Sequence, residues 1–223
     1  MKLAFCIRGH IRNGFKNCAL HNYIRQLSAY ADVDIYLHTW AETEAKSSYR
    51  TLDRSTATAV EESHLVDYFQ DCTIKKIIIQ DDSKLKLLGR LEGDIAGVTS
   101  RCPIIAWKRM WAGKAALIKA VPKQGYERVV NTRYDMFTHD VCYTPVKNLL
   151  KMTLDDKELS LKYPTYYRHL RGVDNYYAGS YGVISKITHD FNTSLDAILE
   201  RHRMRLCHEE IFYLHAKAEG YIS

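Results

Sequence analysis

The chain has only four prolines in 223 residues, and no repeat, low-complexity segment or Pro- or Gly-rich linker interrupts it. Nothing marks a second folding unit, so one globular domain of slightly above usual size is expected. No run approaches the roughly 18 apolar residues of a membrane-spanning helix. "MKLAFCIRGH" also turns polar too early for a secretory signal, so a cytoplasmic location is expected. The six cysteines, at 6, 18, 72, 102, 142 and 207, include no C-x-x-C pair. In a reducing compartment such scattered thiols read as buried side chains rather than a disulfide framework or a zinc site. Two phosphate signatures are missing as well: neither G-x-x-x-x-G-K-[ST] nor G-x-G-x-x-G occurs.

What is present is 46% hydrophobic residues, enough for a sizeable core, and a formal charge of +6. A sequence pI near 8.9 suits a phosphate-bearing partner, whether nucleotide, nucleic acid or anionic lipid. The basic residues are spread out, with "RHRMR" at 201 to 205 the densest cluster. Residues 41 to 63, polar and rich in Ser and Thr, read as a long surface loop.

Elsewhere strand and helix patterns alternate. "KLAFCIR" reads as a strand, and Phe15, Ala19, Tyr23, Leu27 and Tyr30 recur at helical spacing before a second strand, "VDIYLH". A short helix over "HLVDYF" and a strand over "IKKIII" follow. Pro103 fits the first turn of a helix whose Ile104, Trp107, Trp111, Ala115 and Ile118 form one stripe. Next come the strand "RVVNTRYD", the strand "YYAGSYGVI", and a helix capped by Ser185 that carries Ile187, Phe191, Leu195 and Ile198. A last helix starts near Cys207. This alternation predicts an α/β fold with a mainly parallel sheet covered by helices on both faces. In such sheets ligands bind beyond the carboxyl ends of the strands.

Polar residues gather at those ends. The first strand runs into "RGHIRNG", which sets Arg8, His10 and Arg12 beside Gly9 and Gly14 ahead of a helix. Tight turns, outward amides and arginine forks there suit a pyrophosphate. The "LHTW" ending the second strand either covers a base or closes the core. Asp135, at the tip of a central strand, is placed to hold a hard divalent cation, Mn²⁺ or Mg²⁺, bridging diphosphate oxygens. Arg133, two residues earlier on the same face, either meets that diphosphate or salt-bridges the aspartate.

The order of "FCIRGHIRNGF", "DIYLHTW", "WKRMWAGK", "TRYD", "DNYYAGSYGVI" and "HEEIFYLHAKAEGY" resembles nucleotide-sugar-dependent glycosyltransferases of the GT-A fold. It is similar in particular to the compact polysaccharide and lipopolysaccharide synthesis enzymes of bacteria and large DNA viruses. The resemblance covers most of the chain outside residues 41 to 63. It implies a Rossmann-like GT-A domain with a nucleotide-binding half over about residues 1–137 and an acceptor half over about 138–223. A cytoplasmic enzyme of polysaccharide biosynthesis is implied, in the host cytoplasm if the source is viral. Its partners would be a nucleoside diphosphate sugar and a saccharide or glycan acceptor, with no nucleic acid.

Residue by residue, "RYD" stands where the family carries its metal-binding D-x-D, with Asp135 as the last acidic residue and Arg133 in place of the first. That departure leaves either a manganese or magnesium site built on one carboxylate or cationic stabilisation of the leaving group. "AGSYG", with Gly179 and Gly182, resembles the family's glycine loop at the donor sugar. "HEE" at 208 to 210 resembles its acidic helix-start motif, so Glu209 or Glu210 would take the acceptor proton in an inverting transfer. Adjacent helical residues diverge by about 100°, so one of the two faces the cleft, and Glu210 is preferred. Asp174 is a competing base, an acceptor ligand or a turn residue. Lys114 is placed to reach the donor diphosphate. His215, inside the last helix, matches the family's late metal-binding histidine poorly. Tyr163, Tyr166, Tyr167, Tyr176, Tyr177 and Tyr181 fall near the expected cleft and offer faces for sugar rings.

Two other classes remain. A sulfotransferase-like enzyme would use "RGHIRNG" but leave "TRYD" and "HEE" without a role. A non-enzymatic nucleic-acid binder would show steep salt dependence with oligonucleotides, whereas the glycosyltransferase binds a free nucleoside diphosphate saturably.

Overall fold

Apolar runs flanked by polar tips set the strand order along the chain. A computed structural model describes residues 1–45, 57–95, 102–138, 144–161, 173–202 and 208–222. Its strands are β1 (Lys2–Arg8), β2 (Asp32–Trp40), β3 (Thr73–Gln80), β4 (Asp94–Ile95), β5 (Cys102–Pro103), β6 (Arg128–Arg133), β7 (Leu159–Leu161) and β8 (Tyr177–Gly179). Between and after them lie α1 (Ala19–Ser28), α2 (Glu62–Tyr68), α3 (Ile104–Ala120), α4 (Val146–Leu154), α5 (Tyr181–Thr193), α6 (Leu195–Arg201) and α7 (His208–Ala218). β4 and β5 form a small antiparallel pair. The others form one six-stranded sheet in the order β3-β2-β1-β6-β8-β7. β3, β2, β1 and β6 run parallel, while β8 and β7 add an antiparallel edge. The α/β class and the mainly parallel, helix-flanked sheet are as expected.

Both faces of the sheet are covered, which is why its central strands are almost continuously apolar. On one face Leu3, Phe5 and Ile7 of β1 pack with Tyr23 and Leu27 of α1, Leu65 of α2 and Met152 of α4. On the other, Ala4 and Cys6 meet Trp107 and Trp111 of α3, Phe191 of α5 and Phe212 of α7. The Trp111 and Phe191 rings stack with centroids 4.4 Å apart. Each fully buried side chain of this size contributes about 1.5–3 kcal/mol relative to exposure.

Several boundaries differ from the expected ones. α1 begins at Ala19 and ends at Ser28, so Phe15 lies before it and Tyr30 beyond it, largely exposed. Pro103 stands at the N-cap of α3, one residue outside the helix. "YYAGSYGVI" is not one strand: β8 stops at Gly179, and the Ser180 side chain caps α5 by accepting from the Val183 amide at 3.3 Å. Ser185 lies inside α5, so the expected cap is five residues too late. Of the polar stretch 41 to 63, residues 46–56 are outside the described residues. Its ends are tied by a bridge between Glu42 and Ala59. Cys142, Cys207 and residues 203 to 205 of the basic cluster also fall outside.

α3 comes close to the sheet at Gly113, against His38 of β2. A Cβ there would lie 2.6 Å from Cε1 of His38, whose ring is held by a 2.8 Å bond to Gln80 Oε1. Gly113→Ala is therefore expected to destabilise the fold by about 1–3 kcal/mol through overpacking, measurable by urea denaturation. Helix propensity alone would favour the alanine by roughly 1 kcal/mol, so the sign of the result separates the two effects.

Candidate functional site

The sheet order reverses beside β1, because the chain passes from β1 to β2 and β3 on one side and returns with β6 on the other. Such a switch point leaves a crevice beyond the carboxyl ends of the strands, here with α1 and α4, which follow β1 and β6, on one face and α3, which precedes β6, on the other. Arg8 at the tip of β1 sits in register between His38 of β2 and Arg133 of β6. The crevice is a real cleft. Its lining includes Arg8, Gly9, His10, Arg12, Trp40, Asp82, Cys102, Trp107, Arg109, Met110, Arg133, Asp174, Asn175, His208 and Glu209. Thus "RGHIR", the β6 tip, the segment before β8 and the start of α7 meet in one place.

Sequence makes the local geometry. Gly9 turns the chain out of β1 at φ +99°, a left-handed conformation that side chains disfavour. Gly14 closes the expected tight turn, its amide donating to the Ile11 carbonyl at 2.8 Å, and a Cβ there would come within 2.8 Å of the Tyr134 carbonyl oxygen, so only glycine lets these segments touch. Arg12 itself has φ +50° and bonds through its amide to the Thr43 carbonyl at 3.0 Å.

The cations are held in two ways. Arg133 forms a two-pronged pair with the Asp135 carboxylate and bonds Asn175 Oδ1 at 3.1 Å. Arg12 Nη1 stands 3.5 Å from Asp135 Oδ2, and its Nε 3.7 Å from Glu44. Arg109 meets Asp82 at 3.4 Å. Arg8 differs. It is 5% exposed, and its Nη2 donates to the Asp174 carbonyl at 3.0 Å while Nε has no hydrogen-bond partner. Among the described residues no carboxylate lies within salt-bridge distance of it. Burial lowers its pKa from the ordinary value, opposed by the charge of Asp174 and reinforced by that of Arg133. A buried guanidinium with spare donors is costly unless an anion completes it.

Asp174 faces the same space. Burial pushes its carboxyl up, but the charges of His208, Lys114, Arg8 and Arg133 outweigh it, so its pKa lies below the ordinary carboxylate value. His208 Nε2 is 3.7 Å from Asp174 Oδ2 and 3.4 Å from Glu209 Oε2, and its ring packs against Trp107. Glu209 and Glu210 share the first turn of α7, where the helix dipole favours acidic side chains. His10 is neutral at ordinary pH, its pKa lowered to about 4 chiefly by burial. Its Nδ1 lies 3.0 Å from the Glu42 carbonyl, which can only accept, so Nδ1 carries the proton and Nε2 is left as an acceptor. Cys102 is no nucleophile here, since burial and the charges of Glu209, Asp174 and Asp94 push its thiol up to about 12.

Of the site residues read from sequence, Arg8, Gly9, His10, Arg12, Arg133, Asp174 and Glu209 line the cleft. Glu210 does not, so the helix turns Glu209 inward in place of the preferred neighbour. Lys114 is fully buried under the site, donating to the Asp174 carbonyl at 3.3 Å with its ammonium 3.8 Å from the Trp111 ring centroid. It supports the Asp174 backbone and does not reach the cleft. Burial, followed by the charge of Arg8, lowers its pKa well below the ordinary value. Gly179 lies in β8, where a Cβ would meet the Glu158 carbonyl at 2.5 Å, so its role is strand packing. Tyr176 and Tyr177 are fully buried in the two cores, and Tyr181 packs against one of them; Tyr163, Tyr166 and Tyr167 lie outside the described residues. His215 is buried against Asp190 at 3.2 Å. The sequence reading missed Arg109, Asp82 and His208. The first two are separated by a strand pair and a loop, and only the fold brings them together.

Asp135 does not fit a metal ion in this arrangement. Both of its oxygens are taken by Arg133, Arg12 adds a second cation, and the side chain is almost wholly buried. A divalent ion would have to displace two guanidinium groups. Among the described residues no helix is long and apolar enough to cross a membrane. No family model matches the chain, and neither a curated protein nor a solved structure does.

Proposed function

We propose that the cleft binds the diphosphate of a nucleoside diphosphate sugar and that the protein is a GT-A-type glycosyltransferase acting on a saccharide hydroxyl. The observation that carries this reading is Arg8, a buried guanidinium with an unpartnered donor at the switch point of a parallel sheet. Diphosphate oxygens complete it, with Arg12 and Arg133 alongside. Gly9 lets the backbone come close to the phosphates, and Trp40 and Trp107 supply aromatic walls for base or sugar.

In the transfer, the acceptor oxygen bonds to the anomeric carbon as the bond from that carbon to the diphosphate oxygen breaks. The acceptor proton passes to Glu209, the cleft-facing carboxylate, and the nucleoside diphosphate leaves with the bonding pair. Charge growing on that leaving group falls on the arginine side of the cleft, where fixed cations stabilise it most in the transition state. Attack from the side opposite the diphosphate inverts the anomeric centre. No step runs through a metal at Asp135.

The test is a thermal-shift screen with UDP, GDP, CDP and dTDP and their sugars, in chelator and with Mn²⁺. One base is expected to raise Tm, since a ligand selective for the folded state stabilises by about 2.7 kcal/mol at 100 times its Kd. No shift with any nucleotide, together with salt-sensitive oligonucleotide binding, would replace this reading with a nucleic-acid binder.

A further inference from the structure

Beside Arg8, three side chains from two distant segments meet with their ligating atoms inward. Asp174 precedes β8, and His208 and Glu209 open α7. Their ligand atoms all lie within 4.8 Å of one another, and the two separations from His208 Nε2 are 3.7 and 3.4 Å. Donors about 2.1 Å from one tetrahedral ion stand roughly 3.4 Å apart. Two edges of the site are thus near the required spacing, and side-chain rotation closes the third.

Asp174 supplies a second, independent observation. It is fully buried, lines the cleft, and neither carboxylate oxygen accepts a hydrogen bond. The cations around it act on the carboxylate only through space, for Arg8 and Lys114 both donate to its main-chain carbonyl. Holding an ionised carboxylate in a buried position without hydrogen bonds is unfavourable unless a cation completes it.

We propose that Asp174, His208 and Glu209 bind one divalent transition-metal ion in the cleft, leaving its remaining positions open to a ligand oxygen. One imidazole nitrogen with two carboxylates suits Zn²⁺ or Mn²⁺ better than Mg²⁺ or Ca²⁺, which take oxygen donors. The site is separate from Asp135, whose oxygens the arginines occupy. Its role rests on the glycosyl-transfer reading: a hydroxyl coordinated to such an ion is more acidic. Glu209, giving one oxygen to the ion, keeps the other for the proton.

Metal-stripped protein titrated with Mn²⁺, followed by loss of the free-ion EPR signal, tests the site without any turnover. One Mn²⁺ per chain is expected, displaced by Zn²⁺ but not by excess Mg²⁺. His208→Gln and Glu209→Gln, both at partly accessible positions, should each weaken binding by about 10-fold to 100-fold or more, with the fold checked by Tm. Bound Mn²⁺ should also quench Trp107, whose ring lies 5.4 Å from that of His208. Absence of bound Mn²⁺, or wild-type affinity in both variants, overturns the proposal. Nucleotide binding in chelator by a protein that takes no Mn²⁺ removes the metal site and leaves the donor site standing. Mn²⁺ binding without nucleotide binding does the reverse.

Discussion

Glu209→Gln is expected to lower the rate of sugar transfer by about 10²–10⁴-fold, the usual worth of a positioned general base. Glu210→Gln should stay within a few-fold of wild type. The contrast follows from geometry, since the first turn of α7 directs Glu209 into the cleft beside His208 and leaves Glu210 out of its lining. The amide is nearly isosteric and keeps a polar group at the helix start, so donor binding in chelator should change little. Loss of kcat with donor affinity retained identifies a group needed in the chemical step. Equal activity in both variants would show that the proton goes elsewhere, with Asp174 the nearest other carboxylate.

Acid should unfold the protein early, and His38 is one reason. Burial lowers its pKa from 6.5 to about 4, despite the bond to Gln80, because the ring is enclosed by Trp40 and the Gly113 face of α3. The unfolded chain binds this proton first, so the stabilisation is complete above pH 6.5 and is lost as pH falls toward 4. A shift of that size corresponds to about 3 kcal/mol. His10, lowered to a similar value, adds a loss of the same order in the same window. Lys114 has the same sign at higher pH: its lowered pKa means that stability still rises with pH below the ordinary lysine value. Urea unfolding free energies at pH 7 and pH 4.5 measure the effect. His38→Gln should reduce the difference, and a pH-independent wild type would contradict the assignment of a neutral, buried ring.

Much of the scaffold was legible because β1, β2 and β6 are apolar runs whose polar tips mark where burial ends. Arg8, Arg12 and Arg133 could be placed at one sheet edge from that alone. Rotation and pairing could not. Whether Arg133 would reach a ligand or clamp Asp135 depends on side-chain torsions, and the choice of Glu209 over Glu210 depends on how α7 is rolled against Trp107 and Trp111. Ser180 and Ser185 both precede apolar helical spacing, and only the short antiparallel pairing of β8 with β6 decides that the helix starts at the first. The meeting of Asp174 with His208 joins segments 34 residues apart, and no local pattern announces it.

The central claim is that the arginine-lined crevice is a diphosphate site, and calorimetric titration on wild type and Arg12→Gln tests it most directly. Arg12 lies on the loop after β1 with part of its side chain accessible, so its replacement should leave the core intact. With the nucleoside diphosphate selected by thermal shift, one saturable site per chain is expected, weakened about tenfold in the variant by loss of one charge-assisted contact of roughly 1.5 kcal/mol. Absence of saturable binding in wild type, or equal affinity in the variant, would contradict it.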